Sequence, residues 1–259
     1  MRGVRTISSL VHSAKVTVMR VLETAPDAIG SVSSLRPGTS QVVLTYDDGP
    51  TPVRTPAVLR ALDEHGATAT FFLLMTSVQD NPSLLAEVAA TGHEIGLHGI
   101  DHRHLSTLPT RVIENNLRRG KAELEDLIGR EVRWFRPPYG DQSVAAWRAI
   151  RQCGMESVVW STTSWDWDPA LTNDIRVSNM GRHLRDGSIV LLHDGFAGPR
   201  DLADDGPEPQ FDRYALTDRL LRLSAERGWA GRSLGDAIAA GGRLVTRPHF
   251  NLRPRLPRL

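Results

Sequence analysis

The stretch Val42-Val43-Leu44-Thr45-Tyr46-Asp47-Asp48-Gly49-Pro50 sets the pattern for most of the chain. Residues 42–45 read as a short buried strand, and the polar turn after it carries two adjacent carboxylates. Taken alone, Asp-Asp-Gly-Pro is simply a turn, because all three residue types favour one. The same figure then repeats: a short apolar run, a polar cluster at its end, a helical pattern. Further strands are expected at residues 70–74, 94–97, 132–135, 157–160 and 188–192, with a short last one at 231–234. Helices are expected at 56–64, from Asn81-Pro82 to Gly92, at 110–128 ended by Gly129, through Trp147 and Ile150, and at 173–184, 214–225 and 236–240. This alternation is that of βα units around a parallel sheet. About seven units fall short of a complete eightfold barrel, so the fold expected is α/β, a distorted and incomplete (β/α)7-type barrel with parallel strands.

Residues 1–40 read as an N-terminal extension ending in a Ser/Gly/Pro-rich connector, 41–242 as the barrel, and 243–259 as an extended Arg/Pro-rich surface tail. The chain has 259 residues, 40% hydrophobic and 24% charged, which fits one folded unit rather than a disordered or membrane-embedded chain. A net charge of +1 argues against a nucleic-acid partner, although nearly all the basic residues are arginine. The single cysteine, Cys153, excludes an intramolecular disulfide and reads as a buried structural thiol. Residues 7–22 are too interrupted by polar residues for a secretory signal, so the cytoplasm is the expected location. The amphipathic spacing of Val4, Ile7, Leu10, Val11, Val18, Val21 and Leu22 fits a packed surface helix first. The basic residues among them also allow a membrane-surface helix.

Each polar cluster closes a strand, where a parallel barrel gathers its active site. His98 and His102 are four residues apart, so a helical turn after the third strand would bring both imidazoles to one side. Together with Asp48 they make a three-ligand metal site with an open position, the arrangement of a catalytic rather than a structural metal. His104 would lie on the other side of such a turn. Arg136-Pro137-Pro138-Tyr139-Gly140 is a stiff turn that can present an amide N–H and a cation to developing charge. Trp165-Asp166-Trp167-Asp168 places tryptophan where it suits a sugar face, and His193 is positioned as a general acid.

In this order the segments resemble the polysaccharide deacetylase family, metal-dependent carbohydrate esterases with a NodB-type domain. Residues 45–50 match its T-F-D-D-G-P motif with Tyr46 for Phe, and His98 to His102 its H-S/T-x-x-H motif. Arg136 to Gly140 match R-P-P-Y-G, and Leu191 to His193 match L-x-H. The resemblance implies Asp47 as general base and Asp48, His98 and His102 as ligands of one divalent metal ion, Zn2+ first, with Co2+ and other first-row ions open. It implies an oxyanion hole at the Tyr139 N–H, Arg136 orienting Asp47, His193 protonating the leaving amine, and Asp166 supporting that network. The substrate implied is an N-acetylated sugar or oligosaccharide, with Trp167 beside it. The alternatives are an O-acetyl esterase, a non-sugar amide hydrolase on the same site, or a carbohydrate-binding descendant without catalysis. Two departures stand out. Gly99 replaces the family's Ser or Thr that braces the second histidine, leaving the backbone or Asp101 to support His102. Thr163 stands where the first acid of D-x-x-D-W would be.

Overall fold

A computed structural model describes residues 29–251. The amphipathic N-terminal pattern and the end of the Arg/Pro-rich tail lie outside the described residues. The segment read as a connector contains a buried strand, β1 (Ser31–Leu35). It pairs antiparallel with β10 (Leu244–Arg247), which falls in the stretch expected to be an extended surface tail. Ordered structure therefore continues past both ends of residues 41–242.

The main sheet contains β2 (Gln41–Asp47), β3 (Thr70–Leu74), β4 (Glu94–Gly99), β5 (Trp134–Phe135), β6 (Glu156–Ser157), β7 (Thr162–Thr163), β8 (Ile189–His193) and β9 (Ala230–Arg232). Its order is β6-β5-β4-β3-β2-β8-β7, and β9 runs beside the first half of β2. Every pairing in it is parallel. The sheet curls with β6 and β7 at its two ends, and β1 lies across the opening, with Val32 bridging to Val158 and Ser34 to Ser188. The incomplete parallel barrel expected from the sequence is the fold, with a strand laid across the gap.

Helices α1 (Arg54–Glu64), α2 (Met75–Asp80), α3 (Pro82–Ala90), α4 (Thr110–Ile128), α5 (Val144–Gln152), α6 (Asn173–His183), α7 (Arg213–Glu226) and α8 (Leu234–Ala239) follow the strands. The last four begin at side-chain caps, Ser143, Thr172, Asp212 and Ser233. Asn81 precedes α3 as expected but does not cap it. Its amide donates instead to the carbonyls of Pro50 and Ser77, because the unforeseen α2 runs almost directly into α3. Among the described residues no helix is long and apolar enough to cross a membrane. Cys153, at the C-terminus of α5, is half-buried rather than buried, and burial pushes its thiol pKa up.

Strand alternation divides the core in two. Val42, Leu44, Tyr46, Phe71, Leu73, Val190 and Leu192 face the helices. Val43, Phe72, Trp134 and Ile189 face inward, where Val32 and Leu35 of β1 and Leu234 and Ala237 of α8 close the floor. Each large apolar side chain buried this way contributes about 1.5–3 kcal/mol. The same period of two turns Thr45 and Asp47 of β2, His98 of β4 and His193 of β8 inward above that floor.

Candidate active site

Alternation alone would send Asp48 to the opposite face from Asp47. The chain leaves β2 with Asp48 in the left-handed region, φ 73, and this turns both carboxylates toward one cleft. His98 stands near the end of β4. His102 follows across a bend, not the helical turn expected, and Gly99 makes that bend at φ 144. The His102 backbone N–H donates to the Asp201 carbonyl at 2.8 Å, tying the bend to the loop after β8.

Asp48 Oδ1 lies 3.4 Å from His98 Nε2 and 3.5 Å from His102 Nε2. Donors about 2.0–2.1 Å from a tetrahedral ion stand roughly 3.4 Å apart, so the spacing fits a divalent cation. All three side chains are buried, and Asp48 Oδ1 has no hydrogen-bond partner among the described residues. An unpartnered buried carboxylate oxygen facing two imidazole nitrogens is costly unless something cationic joins them. Burial pushes the Asp48 carboxyl up, but His102, His98 and His193 outweigh it and hold its pKa well below the usual carboxylate range. Asp48 therefore keeps its negative charge at neutral pH, as a cation ligand requires.

Two polar pairs flank this triad. Arg136 is fully buried and donates to Asp47 Oδ1 at 2.7 Å and to Thr45 Oγ1 at 2.8 Å, with its guanidinium 4.2 Å from the Phe72 ring centre. Asp47 Oδ2 is left on the triad's side, 3.8 Å from His98 Nε2. On the other flank, Asp166 accepts from the His193 backbone N–H and from His193 Nδ1, both at 2.8 Å. Burial would lower the His193 pKa, but the charge and hydrogen bond of Asp166, backed by Asp48 and Asp47, raise it to about 9. His193 is thus a cation at neutral pH with Nε2 left for proton exchange.

The cleft above has a volume of about 390 Å³. Tyr139 forms one wall in the left-handed conformation, φ 58, within a turn closed by bonds from Gly140 to Pro137 and from Asp141 to Pro138. Trp167 is 42% exposed and meets the His193 ring edge-on at 5.8 Å.

The family model described as polysaccharide deacetylase matches residues 35–158. The chain is 35% identical over 210 residues to a chitooligosaccharide deacetylase of Sinorhizobium fredii, covering 80% of this chain and 96% of that protein. The chain belongs to the polysaccharide deacetylase family. It is also 37% identical over 158 residues to a peptidoglycan-N-acetylglucosamine deacetylase of Bacillus cereus, covering 60% of this chain and 72% of that protein. Among solved structures, the Bc1960 peptidoglycan N-acetylglucosamine deacetylase superposes with a TM-score of 0.70 at 26% identity, over 80% of this chain and 92% of that one.

Of the nine residues singled out from the sequence, Asp47, Asp48, His98, His102, Tyr139, Asp166, Trp167 and His193 line one cleft in this polysaccharide deacetylase. Arg136 lies beneath it. His104 stands apart from the triad as expected, stacked on Tyr139 at 3.9 Å and bonded to Asp141. Asp101 does not support His102, because it is engaged by the Arg103 guanidinium at 2.9 and 2.7 Å. Several site residues were missed. Trp160 and Phe196 line the cleft, Asp205 receives the Tyr139 hydroxyl, and Arg213 donates to the His193 carbonyl at 3.1 Å. Asp141 joins the histidine bend to the chain's C-terminal segment by accepting from Ser106 and Asn251. Asp166, expected in the supporting network, is the residue that pairs with His193. For the loop residues there was no periodic signal to read.

Proposed function

We propose that this protein is a zinc-dependent deacetylase that removes the acetyl group from an N-acetylated sugar or oligosaccharide, releasing acetate and a free amine. The observation that carries the reading is the pairing of a base and an acid across one cation site: Asp47 held by Arg136 on one side, His193 held by Asp166 on the other. A divalent cation on Asp48, His98 and His102, zinc first by its fit to two imidazoles and a carboxylate, supplies polarisation of the acetyl carbonyl and makes water more acidic. Asp47 Oδ1 is taken by Arg136, so Oδ2 accepts the proton of the attacking water. The turn at Tyr139 offers backbone N–H to the oxygen on which negative charge develops. His193 gives its proton to the departing nitrogen. That last step favours an amide over an O-acetyl ester, because an amine is the poorer leaving group and needs a proton donor.

Tyr139, Trp160, Trp167 and Phe196 give the cleft aromatic walls on which sugar faces stack. The relatives named for chitooligosaccharide and peptidoglycan N-acetylglucosamine point to the same substrate class. The test is acetate release from N-acetylglucosamine oligomers and peptidoglycan fragments by the zinc-loaded protein, with amine appearance followed in parallel. Equimolar acetate and amine are expected. Stoichiometric zinc uptake with no acetate from any acetylated sugar would leave a carbohydrate-binding protein instead.

A further inference from the structure

The two imidazoles of the cation site are not held alike. His98 directs Nδ1 at the Arg136 carbonyl, 2.8 Å away, and this bond sets its tautomer. His102 Nδ1 is buried with no hydrogen-bond partner among the described residues. A metal-ligating imidazole ordinarily donates its second N–H to a carboxylate or carbonyl, which fixes the ring and strengthens it as a ligand. The carboxylate that approaches His102 Nδ1 is Asp205, with Oδ2 at 3.8 Å. Asp205 belongs to the loop between β8 and α7, the loop that already accepts the His102 backbone N–H through Asp201. The Tyr139 hydroxyl donates to both Asp205 oxygens, at 3.0 and 2.8 Å, and the Tyr139 ring meets His102 edge-on at 4.3 Å. Tyr139 therefore holds the carboxylate on the Nδ1 side of His102. Support from beside His98 is closed off: at Gly99, with φ 144, an added Cβ would meet the Asp101 carbonyl oxygen at 2.7 Å.

We infer that Asp205 is the positioning residue for His102, closing the 3.8 Å gap to accept its Nδ1 hydrogen when a cation binds Nε2 and making metal affinity depend on the loop after β8. The inference rests on the reading of Asp48, His98 and His102 as metal ligands. Its consequence is that the cleft wall and the metal are coupled, since Phe196, Ala197 and Pro209 of the same loop line the cleft.

The experiment uses the full chain stripped of metal by chelation, with Zn2+ affinity measured by competition against a chromophoric chelator and the visible spectrum recorded for the Co2+ form. Asp205→Ala is compared with Asp204→Ala, which removes an exposed charge from the same loop. Asp205→Ala is expected to weaken Zn2+ binding about 10- to 100-fold and to change the Co2+ ligand-field bands. Asp204→Ala is expected to stay within about fivefold, the range of a screened exposed charge, with an unchanged spectrum. Parent-like affinity in Asp205→Ala, or an equal loss in Asp204→Ala, overturns the inference. A parent chain that takes up no Zn2+ overturns instead the ligand reading beneath it.

Discussion

Replacing Asp166 with Asn tests the acid side of the site. Asp166 is the largest influence raising His193 from its ordinary 6.5 to about 9, against burial that pulls it down. At pH 8 a group of pKa 9 is about 90% protonated, and one of pKa 6.5 about 3%. A return to the ordinary value on loss of the carboxylate charge would remove roughly 30-fold of the proton-donating form at that pH. A bound cation repels the imidazolium and brings the parent's pKa below about 9, so the expected fall in kcat at pH 8 is about 10- to 30-fold. The sign is fixed: His193 works as the cation, so activity falls as pH rises through its pKa, and Asp166→Asn moves that alkaline limb to lower pH. KM changes little, because both Asp166 oxygens are engaged by His193. The assay is acetate release from an N-acetylglucosamine oligomer between pH 5.5 and 10, at fixed zinc. An alkaline limb that stays in place, with kcat within about threefold of the parent, would refute the reasoning.

Arg136→Met strands the buried Asp47 carboxylate, and removing one member of a buried pair costs about 3–5 kcal/mol. A melting temperature lower by roughly 10 °C is expected, with acetate release falling at least about 100-fold. A parent-like melting curve would contradict the pairing. Trp167→Ala removes an aromatic platform worth about 0.5–1.5 kcal/mol. KM should rise about two- to tenfold with kcat nearly unchanged, and a fall confined to kcat would assign Trp167 to the chemistry instead. Deleting residues 244–259 takes away β10, the partner of β1 across the open side of the sheet. The shortened chain should melt earlier and less cooperatively, and calorimetry showing the parent transition would rule out a structural role for that ribbon.

The regular βα units were legible because each pairs a short apolar strand with an amphipathic helix, as at Glu94–Gly99 and Thr110–Ile128. What escaped has a physical reason in each case. Ser31–Leu35 has three serines to two apolar residues and breaks alternation at Ser33-Ser34, so its composition reads as a connector even though it is buried across the barrel's opening. Strands of two residues, such as Thr162–Thr163, are too short for a period to repeat. The His98–His102 spacing identified the right pair for the wrong local reason, since a strand end and a bend at Gly99, rather than a helical turn, bring them together. Likewise, adjacent carboxylates on one strand point to opposite faces, and only the left-handed backbone at Asp48 brings both into the cleft. Asp205 and Arg213 reach the site by tertiary closure alone. Sequence patterns locate residues along strands and helices, whereas the loop after β8 is placed by what it touches.

The most direct test of the account is a titration of metal-free protein with Zn2+, following acetate release from an N-acetylglucosamine oligomer at each addition. One cation on Asp48, His98 and His102 predicts activity that rises in proportion to added zinc and saturates at one equivalent, with His98→Ala giving neither uptake nor acetate. Acetate release that is full before zinc is added, or that survives His98→Ala, would contradict it.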